Sequence, residues 1–76
     1  MSRRLPAVTP RKVIKALERA GFVLDRTRGS HYHFIHPANP ELTPCVPYHN
    51  RDLKRGTLRR IIEQAALTEE EFLDLL

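Results

Sequence analysis

The stretch FVLDRTRGSHYHFIHP, residues 22–37, constrains the fold more than any other part of the chain. Apolar and polar residues alternate on both sides of Gly29-Ser30, so residues 22–28 and 30–36 read as two strands. Phe22 and Leu24 share a face of the first. Tyr32 and Phe34 share a face of the second, which leaves His31, His33 and Ile35 on the other. The Gly-Ser pair supports a hairpin between them. A sheet one layer thick must bury its apolar face under other elements, and the rest of the chain has to supply them.

It supplies helices. In TPRKVIKALERAG, Thr9 is a good N-cap, Pro10 suits the first helical position and Gly21 can close the end in a left-handed conformation. Val13, Ile14, Leu17 and Ala20 recur at helical spacing and should face the core. Arg11, Lys12, Lys15 and Arg19 lie mostly opposite, and their ordinary reading is a solvated helix face. Residues 37–44, PANPELTP, form a connection. CVPYHN (45–50) is a third, weaker strand, and Pro47 belongs on an edge because it cannot donate to a ladder. NRDLKRGTLRRIIEQAAL turns helical again, with Leu58, Ile61, Ile62 and Ala65 as its apolar stripe. TEEEFLDLL opens with Thr68 and Glu71 at capping-box spacing and carries Phe72, Leu75 and Leu76 on its sticky side. The predicted order is helix, three antiparallel strands, helix, short helix, an α+β fold. The helices should cover Phe22, Leu24, Tyr32, Phe34, Val46 and Tyr48, and His31 and His33 should point to the open face.

At 76 residues the chain makes one domain, 1–76, with a thin aliphatic core, since 41% of it is apolar and there is no Trp. Cys45 stands alone, which rules out an internal disulfide and fits a reducing cytosol. No apolar run follows MSRRLPAV, so neither a signal peptide nor a membrane span is predicted, and a cytoplasmic location is expected. Charge is unevenly spread. Residues 1–60 hold all 13 Lys and Arg against Glu18, Asp25, Glu41 and Asp52, a formal +9, while residues 61–76 hold five acids and no Lys or Arg, a formal −5. A basic body of this kind points to a polyanion partner, without separating RNA from DNA or an acidic protein. Lys54, Arg55, Arg59 and Arg60 crowd a helix start, where positive charge opposes the helix dipole. The cluster is easier to explain if it meets phosphate together with the free N–H groups there.

His31, His33, His36, Cys45 and His49 are all metal-ligand types. However, His36 falls on the opposite face from His31 and His33 by parity, and there is no Cys-x-x-Cys or His-Glu-x-x-His pattern. The pattern argues against a metal. A plainer reading makes the histidines phosphate contacts without chemistry. The sharper one begins from RNA, which carries its own nucleophile, the 2′-hydroxyl. A metal-free ribonuclease needs only a base, an acid and cations around the phosphate. A histidine near its free pKa can take either proton-transfer role at neutral pH. His31 follows Gly29 and Ser30, where a small residue admits the RNA backbone. The Ser30 hydroxyl can donate to a phosphate oxygen, or Ser30 is a simple turn residue. Arg26 and Arg28 are near in sequence to neutralise developing charge.

VIKALERAGFVLDRTRGSHYHFIHP, followed by VPYH and DLKRGTLRRIIEQAALTEEEFLDLL, closely resembles the HicA (YcfA-like) family of toxins from toxin–antitoxin systems. The resemblance runs from about Pro6 to Leu76. Its most specific parts are the Gly-Ser-His opening the second strand, the Val-Pro-x-His of the third and the Gly-Thr-Leu-Arg opening the second long helix. It implies a fold similar to a double-stranded-RNA-binding domain and an mRNA-cleaving toxin that acts without the ribosome. It implies that the essential histidine is the one after Gly-Ser, His31 here. It also implies a HicB-like antitoxin partner whose amino-terminal part resembles a degenerate ribonuclease-H fold and masks that histidine. Many members carry another histidine directly after the essential one, where this chain has Tyr32. Tyr32 should face the core, so the departure leaves the His31 assignment standing.

The expected site is therefore His31 as general acid or base, with Ser30 and His49 as candidate support. Arg26, Arg28, Gly29, His33, Lys54, Arg55 and Arg59 would contact RNA, with no metal, no small-molecule cofactor and no membrane involved. His49 is either a second proton carrier or a turn residue capping the strand end. A non-catalytic RNA-binding module of the same fold is the alternative, and a module that binds an acidic protein is another.

Overall fold

The computed structural model describes residues 4–76. Its elements run α1 (Pro10–Arg19), β1 (Val23–Arg28), β2 (His31–Ile35), β3 (Cys45–Pro47), α2 (Arg55–Gln64) and α3 (Glu69–Leu75). The strands form one antiparallel sheet in the order β1-β2-β3, so β2 is central. This is the α+β arrangement expected of a double-stranded-RNA-binding-domain-like fold.

Local chemistry sets the helix ends. At the start of α1 the Thr9 hydroxyl accepts the Lys12 backbone N–H at 3.4 Å, and Pro10 occupies the first turn, where its missing N–H costs nothing. Beyond its end, Gly21 takes φ +97°. The N–H groups of Gly21 and Phe22 return to the carbonyls of Glu18 and Leu17, both at 3.0 Å, a Schellman closure. A Cβ on Gly21 would also lie 2.9 Å from His36 Nε2, so backbone conformation and packing both require glycine. α2 closes in the same way. The N–H groups of Ala66 and Leu67 reach the carbonyls of Glu63 and Ile62 at 2.9 and 3.1 Å, but here the left-handed residue is alanine, at φ +56°. α3 begins with the predicted capping box. Glu71 N–H donates to the Thr68 hydroxyl at 3.0 Å and Thr68 N–H donates to the Glu71 carboxylate at 2.8 Å.

The core lies between one face of the sheet and the three helices. Phe22, Phe34 and Val46 enter it from the sheet side. Val13 and Leu17 enter from α1, Leu58, Ile61 and Ile62 from α2, and Phe72 from α3. Each such side chain contributes about 1.5–3 kcal/mol by leaving water. Leu5 and Val8, ahead of α1, are buried as well, and the Leu53 N–H bonds the Val8 carbonyl at 2.8 Å. That bond ties the approach to α1 to the approach to α2.

Of the six sheet residues the helices should cover, two are exposed and Tyr32 is half-buried. Leu24 is 50% exposed and Tyr48 39%. Both are on the helix side of the sheet, lining a groove with Tyr32, Phe34 and Ile14 of α1. Their face is as predicted and their depth is not: α1 and α2 pack against β3 and leave Leu24 on β1 uncovered, while Tyr48 lies just beyond the end of β3. β3 is shorter than predicted, ending at Pro47, although the Tyr48 N–H still bonds the Ser30 carbonyl at 2.6 Å. Pro47 does sit on an edge strand. α2 starts only at Arg55, and the segment ahead of it descends into the core through Leu53.

Candidate active site

Two local irregularities build the open face. The first is the turn. Gly29 has φ +58° and Ser30 keeps a negative φ, the sign pattern of a type II′ turn, which takes glycine at its first central position. The turn sets Arg28 opposite His31 across the hairpin.

The second is a bulge at Asp25. Leu24 pairs with Phe34, Arg26 pairs with His33, and Asp25 between them has no partner. In a regular strand, residues 24, 26 and 28 would share one face, the core face of Leu24. One extra residue reverses the parity beyond it. The bulge therefore turns Arg26 and Arg28 out to the histidine face. On β3, Pro47 lies opposite His31 and Cys45 opposite His33. Directly opposed residues share a face, with Cβ atoms about 4.5–5.5 Å apart. The open face thus carries two rows across the sheet, Arg28–His31–Pro47 and Arg26–His33–Cys45. The four basic and imidazole side chains foreseen around the Gly-Ser turn are brought together.

His31 is exposed, and no hydrogen bond or ion pair from another described residue reaches its ring. His33 is half-buried, with Nε2 3.9 Å from Cys45 Sγ. Burial pushes the Cys45 thiol pKa up, which disfavours the thiolate, so Cys45 is not prepared as a nucleophile. Ser30 is exposed beside His31. The space a Cβ would fill at Gly29 is open, so glycine is there for its backbone conformation and leaves the approach to the turn unobstructed.

The other histidines have separate jobs. His36 packs edge-on to Phe22, with ring centroids 5.0 Å apart. Its Nδ1 accepts the Ala38 N–H at 3.2 Å, so the proton sits on Nε2, which donates to the Ala20 carbonyl at 3.3 Å. It is a structural residue joining the end of α1 to the loop after β2. His49 Nδ1 accepts the Arg51 N–H at 3.1 Å, as a turn residue would. The same bond leaves the proton of the neutral ring on Nε2, available for donation. His49 lines a surface groove of about 450 Å³ with Pro47, Arg51, Asp52, Lys54 and Thr57. Arg51 was missed as a site residue, though its place between His49 and Lys54 in the chain is the signal that finds it.

At the start of α2, Lys54 holds the N-cap position without a side-chain hydrogen bond, and the first turn has no acid. Lys54 and Arg55 surround N–H groups that no side chain caps. Arg59 does not join them freely, since its Nε lies 3.5 Å from the Glu69 carboxylate at the start of α3. Among the described residues no three His, Cys, Asp or Glu side chains gather as metal ligands would. No helix there is long and apolar enough to cross a membrane.

Among curated proteins none matches this sequence. The family model for the HicA toxin of bacterial toxin–antitoxin systems matches residues 10–67, which span α1, the whole sheet and α2. The match includes the Gly-Ser turn, the bulged strand, His31, His33, His49 and the basic start of α2. The chain belongs to the HicA toxin family of bacterial toxin–antitoxin systems.

Proposed function

We propose that this protein is a metal-independent endoribonuclease that cleaves mRNA without the ribosome, with His31 moving the proton, and that a HicB-like antitoxin restrains it. The observation that carries the reading is the row Arg28–His31–Pro47 on the open sheet face. An exposed imidazole stands beside a guanidinium, on the central strand, next to a turn with open space above it.

His31 as base removes the proton of a 2′-hydroxyl, whose oxygen attacks the adjacent phosphorus. The bond from phosphorus to the 5′-oxygen breaks and that oxygen takes a proton from an acid. The products are a 2′,3′-cyclic phosphate and a 5′-hydroxyl. Arg28 and Arg26 offset the charge developing on the phosphoryl oxygens. Ser30 donates to one of them, and His49 Nε2–H is the candidate acid. Lys54, Arg55 and the free N–H groups of α2 hold flanking phosphate, and Gly29 and His33 add contacts near the turn. Arg59 contributes less, being engaged by Glu69. An antitoxin that covers this face would block both cleavage and RNA binding.

The test is the chemistry of the ends. Purified protein should cut a labelled mRNA in the presence of a chelator, leaving cyclic phosphate, and a 2′-deoxy substitution at the cut site should stop it. Cleavage that needs a divalent ion, or that survives the deoxy substitution, contradicts the mechanism. One observation favours the second reading, a non-catalytic RNA-binding module. No described side chain orients the His31 ring, whereas a base is usually held by a partner. Tight RNA binding with no cut at any protein concentration would establish that reading.

A further inference from the structure

Three surface grooves share their walls. The first, about 300 Å³ between α1 and the sheet, is lined by Arg11, Lys15, Leu24 and Tyr48 among others. The second, about 320 Å³, shares Arg11 and Tyr48 with the first and adds His49. The third, about 450 Å³, shares His49 with the second and continues past Pro47 and Arg51 to Lys54. Together they make one path from the middle of α1 to the start of α2. Its cations are Arg11, Lys15, Arg51 and Lys54, against the acids Glu18 and Asp52.

Tyr48 belongs to both of the first two grooves and is 39% exposed. Its ring stacks on Tyr32, centroids 4.7 Å apart and planes 20° from parallel, so its orientation is held. Pro47, in the wall of the third groove, is the direct cross-strand partner of His31, one strand spacing of about 4.8 Å away. The path therefore runs beside the candidate catalytic residue.

We infer that this path is a track for single-stranded RNA, with phosphates on Arg11, Lys15, Arg51 and Lys54 and one base against Tyr48. The inference rests on the ribonuclease reading and names the form of substrate it takes. A basic groove with a fixed aromatic ring is the general solution for holding a single strand, because every unpaired base offers a flat face. A base inside a duplex is already stacked and cannot reach the ring. Exposed Leu24 widens the apolar part of the first groove next to the tyrosine. The basic side of α1, an ordinary solvated face when taken alone, becomes one bank of the track.

The experiment uses the full chain carrying His31→Ala, so that substrate survives, and measures binding of a fluorescent 12-nucleotide uridine strand and of a 12-base-pair RNA duplex. The single strand should bind more tightly. Tyr48→Ala should weaken it about 5-fold or more, while Tyr48→Phe stays within about 2-fold, since stacking is the interaction removed. Arg11→Gln with Lys15→Gln should lower the slope of log affinity against log salt by about 1.4. These last two residues are exposed on a helix, so that variant folds even if Tyr48→Ala lowers the melting temperature.

Preference for the duplex overturns the inference. So does a single strand that binds the Tyr48→Ala and Arg11→Gln/Lys15→Gln proteins as it binds the parent, while Lys54→Gln/Arg55→Gln still weakens it, a result that leaves the ribonuclease reading standing. A parent that binds neither RNA overturns both. Groove variants that spare RNA binding but weaken a purified protein antitoxin would make the path a protein interface instead.

Discussion

The two faces of β2 are built from alternate residues of one five-residue strand, yet they answer to different physics. Phe34 is 2% exposed and meets side chains from all around the core, whereas His31, three residues earlier, touches solvent. The core face is held by area removed from water, so it tolerates no polar atom without a partner. The open face has no such requirement, and only there can a titratable group stay hydrated and reachable. β1 shows how the division is enforced. Its residues up to Leu24 keep the core parity, and the Asp25 bulge then hands Arg26 and Arg28 to the other face. Strand pairing continues through the bulge, so the protein gains a basic surface without losing its sheet.

The sharpest way to break the comparison is to interchange the faces' roles by mutation. Phe34→Ala should cost about 3–5 kcal/mol, the usual loss for a buried phenylalanine. That is most of the stability of a domain this size, and a urea melt should show an unfolded or nearly unfolded protein. If Phe34→Ala melts like the parent, the core face is not where stability resides. Deleting Asp25 probes the division on β1. It removes the one unpaired residue, so Arg26 follows Leu24 directly and plain alternation keeps Arg26 and Arg28 on the histidine face with the same partners. Where the variant folds, cross-strand proton contacts between Arg28 and His31 should persist by NMR, and affinity for RNA should stay within a few-fold of the parent. Loss of those contacts would mean that Asp25 does more for the register than fill the bulge.

Charge removal at the α2 start sharpens the comparison further. Lys54→Gln with Arg55→Gln should leave the melt unchanged or slightly raised, since two charges that oppose the helix dipole are gone, and lower the salt slope of single-stranded RNA binding by about 1.4, the loss of two phosphate contacts. The smallest effect lies away from both faces, at the closure of α2. α1 and α2 end in the same motif, with Gly21 in one and Ala66 in the other. Ala66→Gly removes a left-handed penalty of about 1–2 kcal/mol and adds unfolded-chain entropy of about 0.5–1 kcal/mol. The net should be a gain of about 0.5–1 kcal/mol in a denaturant melt, with cleavage unaffected.

Much of this was legible in the sequence because its signals are local. Thr9, Pro10 and Gly21 bound α1, Thr68 and Glu71 start α3, and period-two alternation separated His31 from Phe34. Each depends on neighbours within four residues. What was not legible depends on distant partners. Nothing in FVLDRTR marks Asp25 as the residue without a partner, since a bulge is defined against the opposite strand. The exposure of Leu24 follows from where α1 and α2 settle, and that of Tyr48 from where β3 ends. The Arg59–Glu69 pair and the His36–Phe22 contact join segments whose approach the chain does not announce. Alternation places His31 and His33 on the open face, but the arginines reach that face through a bulge that alternation does not predict.

The most direct test of the division between faces is His31→Ala followed in three assays on one preparation: thermal melting, single-stranded RNA binding and mRNA cleavage. The account predicts an unchanged melting temperature, binding within a few-fold of the parent, and cleavage reduced about 100- to 10,000-fold, the usual worth of a general acid or base. Cleavage that persists at the parental rate, or that is lost only because the protein no longer folds, would contradict it.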